Sequence, residues 1–287
     1  MKDCFLYNGT IWRGYDLSFM EFVLENKGEK HEEVMLILST HGGEPSAAYK
    51  IGRYLQFKYS NVEIFLPGPC KSAGTLLAIS ANKLIFSPYG ELGPLDIQIV
   101  KTDKIVGFES GLNIDVAFKT LEERATAMFH NLALEIIAGS KGVISYQTAS
   151  HSASQIISSL FGPIFSRIDP EEVGSRARAL QICTDYGRRL NSRFLNLRDD
   201  PNALGVLSGQ YPSHDFVIDI HDAKLLFHRV REASDSEREL IKSIDTEKGV
   251  GACRIPKIGE PLMMNLTDNF QKIETETKTK TESRSKK

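Results

Sequence analysis

Apolar residues along the first ninety positions fall into two kinds of stretch. Residues 33–39 and 62–66 are short and nearly continuous in apolar side chains, as strands covered on both faces are. Residues 4–11 read as a further short strand broken at Asn8-Gly9, and 83–86 as another. Between them lie stretches with helical spacing: 17–24 (Leu17, Met20, Phe22, Val23, Leu24), 45–59 (Ala47, Ala48, Ile51, Leu55, Phe57) and 72–81. Strands alternating with helices at this pitch predict βαβ units, hence a mostly parallel sheet with right-handed crossovers. In such α/β sheets ligands bind beyond the carboxyl ends of the strands. That rule directs attention to the two turns at 40–45 and 69–75.

After residue 94 the pattern changes. The turn-rich corner 89–94 leads into an apolar run, 95–100, that opens with Leu95-Asp96. Residues 114–137, 150–160 and 170–194 have helical periodicity. Asp169, Pro170, Glu171 and Glu172 form a helix start: a cap, proline at the first position and acids in the first turn. Residues 201–207 predict a short helix, and 216–220 a strand with Asp219 and Asp222 near its end. The expected organisation is one α/β domain over 1–266, with a core at 1–110 and a helical extension at 111–266. Residues 267–287 are charged and low in complexity, the composition of a disordered tail.

Composition narrows the classes. With 41% hydrophobic and 25% charged residues the chain is an ordinary globular protein of 287 residues. A formal net charge of −2 offers no electrostatic reason to expect nucleic acid. The four cysteines (Cys4, Cys70, Cys183, Cys253) have neither metal-ligand nor disulfide-framework spacing, so thiols in a reducing compartment are expected. The amino terminus lacks the charged-then-apolar pattern of a signal peptide. No apolar run approaches the ~20 residues that span a bilayer. A cytoplasmic enzyme without metal or cofactor is the expectation.

The two turns carry the candidate chemistry. Ser72 follows a strand-like run and opens a helix, in Pro69-Cys70-Lys71-Ser72-Ala73-Gly74-Thr75. A small hydroxyl residue at such a turn is where α/β folds present a nucleophile. Thirty residues upstream stands Thr40-His41-Gly42-Gly43-Glu44-Pro45, also after a strand-like run. Two glycine-containing turns at the ends of successive strands can aim free N–H groups at one carbonyl oxygen, which is an oxyanion hole. Gly42, Gly43 and Ala73 are its candidate donors. Ser72 by itself fits a helix N-cap just as well.

Three segments together resemble the serine dehydrogenase proteinase family, within the Clp protease/crotonase superfamily and related to the S49 signal-peptide-peptidase-like enzymes. They are Leu36 to Gly43, Lys71 to Ala78 and Glu91 to Gln98. The likeness extends to Asp169-Pro170-Glu171-Glu172-Val173-Gly174 and Tyr211-Pro212-Ser213-His214-Asp215-Phe216, so it spans roughly residues 5–228. It implies a Clp/crotonase-like spiral of ββα units, a peptide or protein substrate, and a Ser72, Asp96, His214 triad in that chain order. It also implies a homo-oligomer assembled through the helices after the core. Lys119 is the alternative base, because S49-like relatives use serine–lysine dyads. His41 stands where relatives usually carry proline and is a further candidate base. Lys71, adjacent to Ser72 at a helix start, points away from it. The membrane segment of archaeal relatives has no counterpart here. Two other classes remain open, a crotonase-type acyl-CoA enzyme and an inactive oligomeric scaffold.

Overall fold

The computed structural model describes residues 1–95, 98–100, 108–167, 169–200, 202–249 and 251–285. It divides into two compact units, Met1–Asp96 with Leu180–Lys287, and Ile97–Ala179. The boundary thus falls after residue 96 rather than at 110. Residues 180–266, expected in a helical extension, return to the unit that holds the sheet.

In chain order the elements are β1 (Lys2–Asn8), α1 (Tyr15–Asn26), β2 (Glu33–Ser39), α2 (Pro45–Lys58), β3 (Asn61–Leu66), β4 (Pro69–Cys70), α3 (Ala73–Ala78), β5 (Lys83–Phe86) and β6 (Glu91–Leu92). Then come β7 (Gln98–Val100), β8 (Phe108–Ser110), α4 (Gly111–Gly139), α5 (Tyr146–Phe165) and α6 (Pro170–Phe194). The chain closes with α7 (Ala203–Gly209), α8 (Ile220–Leu226), β9 (Val230–Glu232), α9 (Asp235–Lys248), β10 (Leu262–Asn265) and α10 (Thr267–Ser285).

Among the described residues the first unit holds a mixed six-stranded sheet in the order β10-β1-β2-β3-β5-β9. All its pairings are parallel except β1 with β10. The inner strands β1, β2, β3 and β5 are mostly apolar because both faces are covered. Phe5, Tyr7, Leu36, Leu38, Ile64, Leu66 and Phe86 meet α1, α2 and α3 on one face. Cys4, Leu6, Met35, Ile37, Phe65 and Ile85 meet Leu240, Ile241 and Ile244 of α9, and Phe270 of α10, on the other. This alternation is the two-residue period of a strand buried on both sides.

Beyond the carboxyl ends of these strands the chain pairs a second time. Ile11 bridges Gly43, Thr40 bridges Cys70, β4 pairs with β6, and Leu92 bridges Ile218. This short second ladder keeps the strand order of the main sheet, and both glycine turns take part in it.

Two expectations change. In 216–220 only Ile218 pairs, and only through that bridge. The Asp219 carboxylate accepts the N–H groups of His221 (2.7 Å) and Asp222 (3.0 Å), so the segment turns into α8 instead of continuing as a strand. The stretch expected to be disordered from 267 is helix α10. Its start is fixed by the Thr267 hydroxyl, which accepts Cys4 N–H at 3.1 Å, and by Phe270, which is buried in the core.

The second unit contains the antiparallel pair β7–β8 and the hairpin of α4 and α5. Small residues, Ala133, Ala149 and Ala153, are buried in it, and Phe118 meets Phe165 edge-on at 5.5 Å. Ser145 caps α5 through Thr148 N–H.

Candidate functional site

The two glycine turns are held side by side by main-chain bonds. Thr40 N–H donates to Pro69 O (2.9 Å) and Lys71 N–H donates to Thr40 O (3.0 Å). On the other side of the first turn, Ile11 N–H donates to Gly42 O (2.9 Å) and Glu44 N–H donates to Ile11 O (2.7 Å). Successive residues of a paired strand direct their own N–H groups to opposite sides. With Glu44 facing Ile11, the N–H of Gly43 faces away from it. The Gly42 N–H is already taken by the Thr40 hydroxyl at 2.9 Å, so Gly42 is not a donor to a bound group.

Both glycines are needed for close approach. Gly42 has φ of 106°, and a Cβ there would stand 2.8 Å from Ser72 Cβ, 2.9 Å from Lys71 O and 3.3 Å from Ala73 N. Gly43 has φ of 143°, and a Cβ there would collide with Ile11 O. Side chains are excluded at both positions by sterics as well as by backbone conformation.

Ser72 is the N-cap residue of α3 by position, yet its backbone (φ 50°, ψ −113°) is unlike that of an ordinary cap and its side chain makes no capping hydrogen bond. Few non-glycine residues occupy positive φ, and holding one there costs on the order of 1–3 kcal/mol. The same strain occurs where a sharp strand-to-helix turn presents a nucleophilic serine. The side chain is half-buried rather than enclosed. Ala73 opens the helix, and neither its N–H nor that of Gly43 donates to an acceptor among the described residues. Two unspent N–H groups therefore lie where the turns meet, close to the serine.

The remaining candidates are placed as follows. His214 is buried in a turn, at 9% exposure, and the same segment reaches the Ser72 turn: Phe216 O accepts from Lys71 Nζ at 3.2 Å. His41 is exposed, beside Gly42. Lys119 is exposed on α4 in the other unit. Asp96 lies outside the described residues. Cys70, two residues from Ser72, is fully buried, and burial pushes its thiol pKa up despite the charge of Lys71. Burial thus favours the neutral thiol, which is a poor nucleophile. Among the described residues no group of three or more His, Cys, Asp or Glu side chains is placed to hold a metal ion. Among them, too, no helix is long and apolar enough to cross a membrane.

Sequence reasoning missed three parts of this arrangement. The Ile11 bridge to Gly43 pairs residues 32 apart, which no local pattern reveals. The Thr40 hydroxyl takes the Gly42 N–H. Lys71 is partly buried and joins Glu91, Leu92 and Phe216. A signal for the last existed, since Lys71 is the sole charged residue between Ile64 and Asn82.

No protein-family model matches the chain. Over 70 residues it is 34% identical to an uncharacterized protein of Methanocaldococcus jannaschii, a match that covers 24% of each chain. A mutant structure of the 1510-N membrane-bound stomatin-specific protease is similar with a TM-score of 0.34 and 14% identity, over 52% of this chain and 67% of that one. A second mutant of that protease, in complex with a substrate peptide, is similar with a TM-score of 0.34 and 19% identity, over 41% of this chain and 56% of that one. These likenesses are partial in length and low in score, and they carry no assignment of activity to this chain.

Proposed function

We propose that this protein is a serine hydrolase, acting on peptide bonds, on a Clp/crotonase-like spiral. The observation that carries the reading is the strained backbone of Ser72, a serine held at φ 50° although its side chain makes no helix-capping hydrogen bond. An enzyme that used only the two N–H donors would be served by glycine at this position, without the strain. A serine kept there at a cost is a serine whose hydroxyl is used. The second ladder, in the same order as the main sheet, supports the spiral.

In this reading Ser72 Oγ attacks the carbonyl carbon of the substrate while His214 takes the hydroxyl proton. The oxygen of the tetrahedral intermediate becomes an anion and accepts hydrogen bonds from the N–H groups of Gly43 and Ala73. His214 returns the proton to the leaving amine, the C–N bond breaks, and an ester to Ser72 remains. Water, deprotonated by His214, hydrolyses that ester and restores the serine. Asp96 orients the imidazole and stabilises its charged form. Serine is a poor nucleophile at neutral pH, so a base within ~3 Å of the hydroxyl is required. The buried place of His214, beside the segment tied to Lys71, favours it over the exposed His41.

The test is cleavage of a mixed peptide library by the full-length protein, read by mass spectrometry. New termini made by the wild type and absent with Ser72→Ala support the proposal. Cleavage that persists undiminished in Ser72→Ala rejects it.

A further inference from the structure

The charged group nearest Ser72 in sequence is Lys71, and the structure gives it a defined task. Its side chain is 11% exposed, which for a lysine calls for compensating partners. An ammonium has three N–H bonds, and Lys71 Nζ has three acceptors: Glu91 Oε1 at 2.9 Å, Leu92 O at 3.2 Å and Phe216 O at 3.2 Å. Its donors are all engaged. Serving as a base would require losing the proton that holds the ion pair, so Lys71 is not the group that activates Ser72.

Its aliphatic stem is fitted just as closely. It passes over Gly93, where a Cβ would stand 2.6 Å from Lys71 Cδ and 3.4 Å from its Cα and Cβ. Gly93 is itself fixed by the buried Thr75 hydroxyl, which donates to Gly93 O (2.7 Å) and accepts Gly93 N–H (3.2 Å). Thr75 belongs to α3, the helix that Ser72 opens. Ser72, the lysine and the glycine are therefore parts of one rigid junction.

What the ammonium holds is the segment of His214. Leu92 and Ile218 exchange two main-chain bonds (2.9 and 3.0 Å), tying that segment to β6. The Lys71 bond to Phe216 O is a tie closer in sequence to His214, and it comes from the residue next to Ser72.

We infer that Lys71 is a positioning residue, a partly buried clamp that docks the His214 segment onto the Ser72 turn and so sets the distance between base and nucleophile. The inference rests on the roles proposed for Ser72 and His214. It predicts that weakening the clamp slows acyl transfer more than it weakens substrate binding. Displacing reacting groups by about 1 Å can cost on the order of a hundredfold in rate.

The test uses the full chain with Lys71→Met, Lys71→Arg and Gly93→Ala, each checked for a cooperative thermal transition. Two quantities are read: hydrogen exchange of the 214–218 amides, and kcat and KM for p-nitrophenyl acetate. The expected result for Lys71→Met is faster exchange at 214–218 and a fall in kcat of about a hundredfold with KM nearly unchanged. Lys71→Arg, which keeps a cation, recovers part of the rate. Gly93→Ala keeps every charge but displaces the stem, and it reproduces the loss; it also carries the comparison if Lys71→Met does not fold. Unchanged exchange at 214–218, or a lower melting temperature with kcat intact, overturns the inference. If the wild type hydrolyses no ester at all, the hydrolase reading fails by itself, and the exchange measurement alone decides whether Lys71 docks the segment.

Discussion

The amino and carboxyl ends of the central sheet handle polar groups in opposite ways. At the amino end, Asp3 is buried and accepts hydrogen bonds from His31 Nδ1 (2.5 Å), Tyr59 OH (2.7 Å) and Gly28 N–H (3.3 Å). Glu63, likewise buried, accepts from Lys2 (2.7 Å) and Lys83 (3.0 Å). Each carboxylate is matched by several donors, which is the condition for burying a charge without a large penalty. At the carboxyl end a serine sits in a strained conformation, and two N–H groups beside it make no hydrogen bond among the described residues. One end holds the strands in register. The other keeps strain and unspent donors, which a relaxed surface would have eliminated. The contrast teaches that incomplete satisfaction, next to thorough satisfaction in the same unit, is the reason for proposing that chemistry is done at the carboxyl end.

Substitutions sharpen the contrast, because those at the carboxyl end should alter reactivity and those at the amino end stability. The largest effect is expected for Gly42→Ala, whose methyl group would press on Ser72 Cβ and Lys71 O. It should abolish esterase activity and also lower stability by about 1–3 kcal/mol, measured by urea denaturation. Asp3→Ala should cost about 3–5 kcal/mol in the same measurement, by leaving His31 and Tyr59 without their buried partner. The activity of its folded fraction should remain. A loss of kcat in Asp3→Ala with stability intact would break the division between the two ends.

Acid provides a milder probe of the amino end. Burial alone would raise the pKa of Glu63, but the hydrogen bonds and charges of Lys2 and Lys83 outweigh it and hold the carboxyl below its ordinary value of 4.5. Glu237 is held low in the same way, burial being outweighed by Arg231 and the Ser234 N–H. A carboxylate with a depressed folded-state pKa stabilises the fold fully above the unfolded value, and that contribution is lost as pH falls through the folded one. The melting temperature should therefore hold above about pH 5 and decline below 4.5, with a smaller decline in Glu63→Gln. A profile in Glu63→Gln that matches the wild type would remove Glu63 from the account. The smallest effect on stability is expected for Ser72→Gly. Relief of on the order of 1–3 kcal/mol of strain is partly offset by about 0.4–1 kcal/mol of added unfolded-state entropy. A net gain of roughly 1 kcal/mol remains, and a loss of stability would show that Ser72 is not strained.

Much of the sheet could be read from the chain because its strands are apolar on both faces. β2 and β5 begin and end where their apolar runs do, and α2 follows from its stripe of Ala47, Ala48, Ile51 and Leu55. The outer strands were not legible. β9 is three residues with two charges, and β10 is four residues whose place depends on pairing with β1. α9 did carry a local signature, Ser234 with Glu237 as a capping box. α10 looked disordered because its twelve last residues are polar, while the burial that fixes it comes from Phe270 near its start. At the site, the turns and Ser72 were visible as local patterns. The contact between them was not, because Thr40 and Cys70, or Ile11 and Gly43, meet only once the strands are parallel. The base is the least legible part, since a buried histidine in a turn has no pattern of its own.

The central claim, that the strained Ser72 is a nucleophile, is tested most directly by covalent labelling with a fluorophosphonate probe followed by peptide mapping. The account predicts one adduct, on Ser72, in the folded wild type, and none in a Ser72→Ala protein of unchanged fold. An adduct on another residue, or equal labelling of the two proteins, would contradict it.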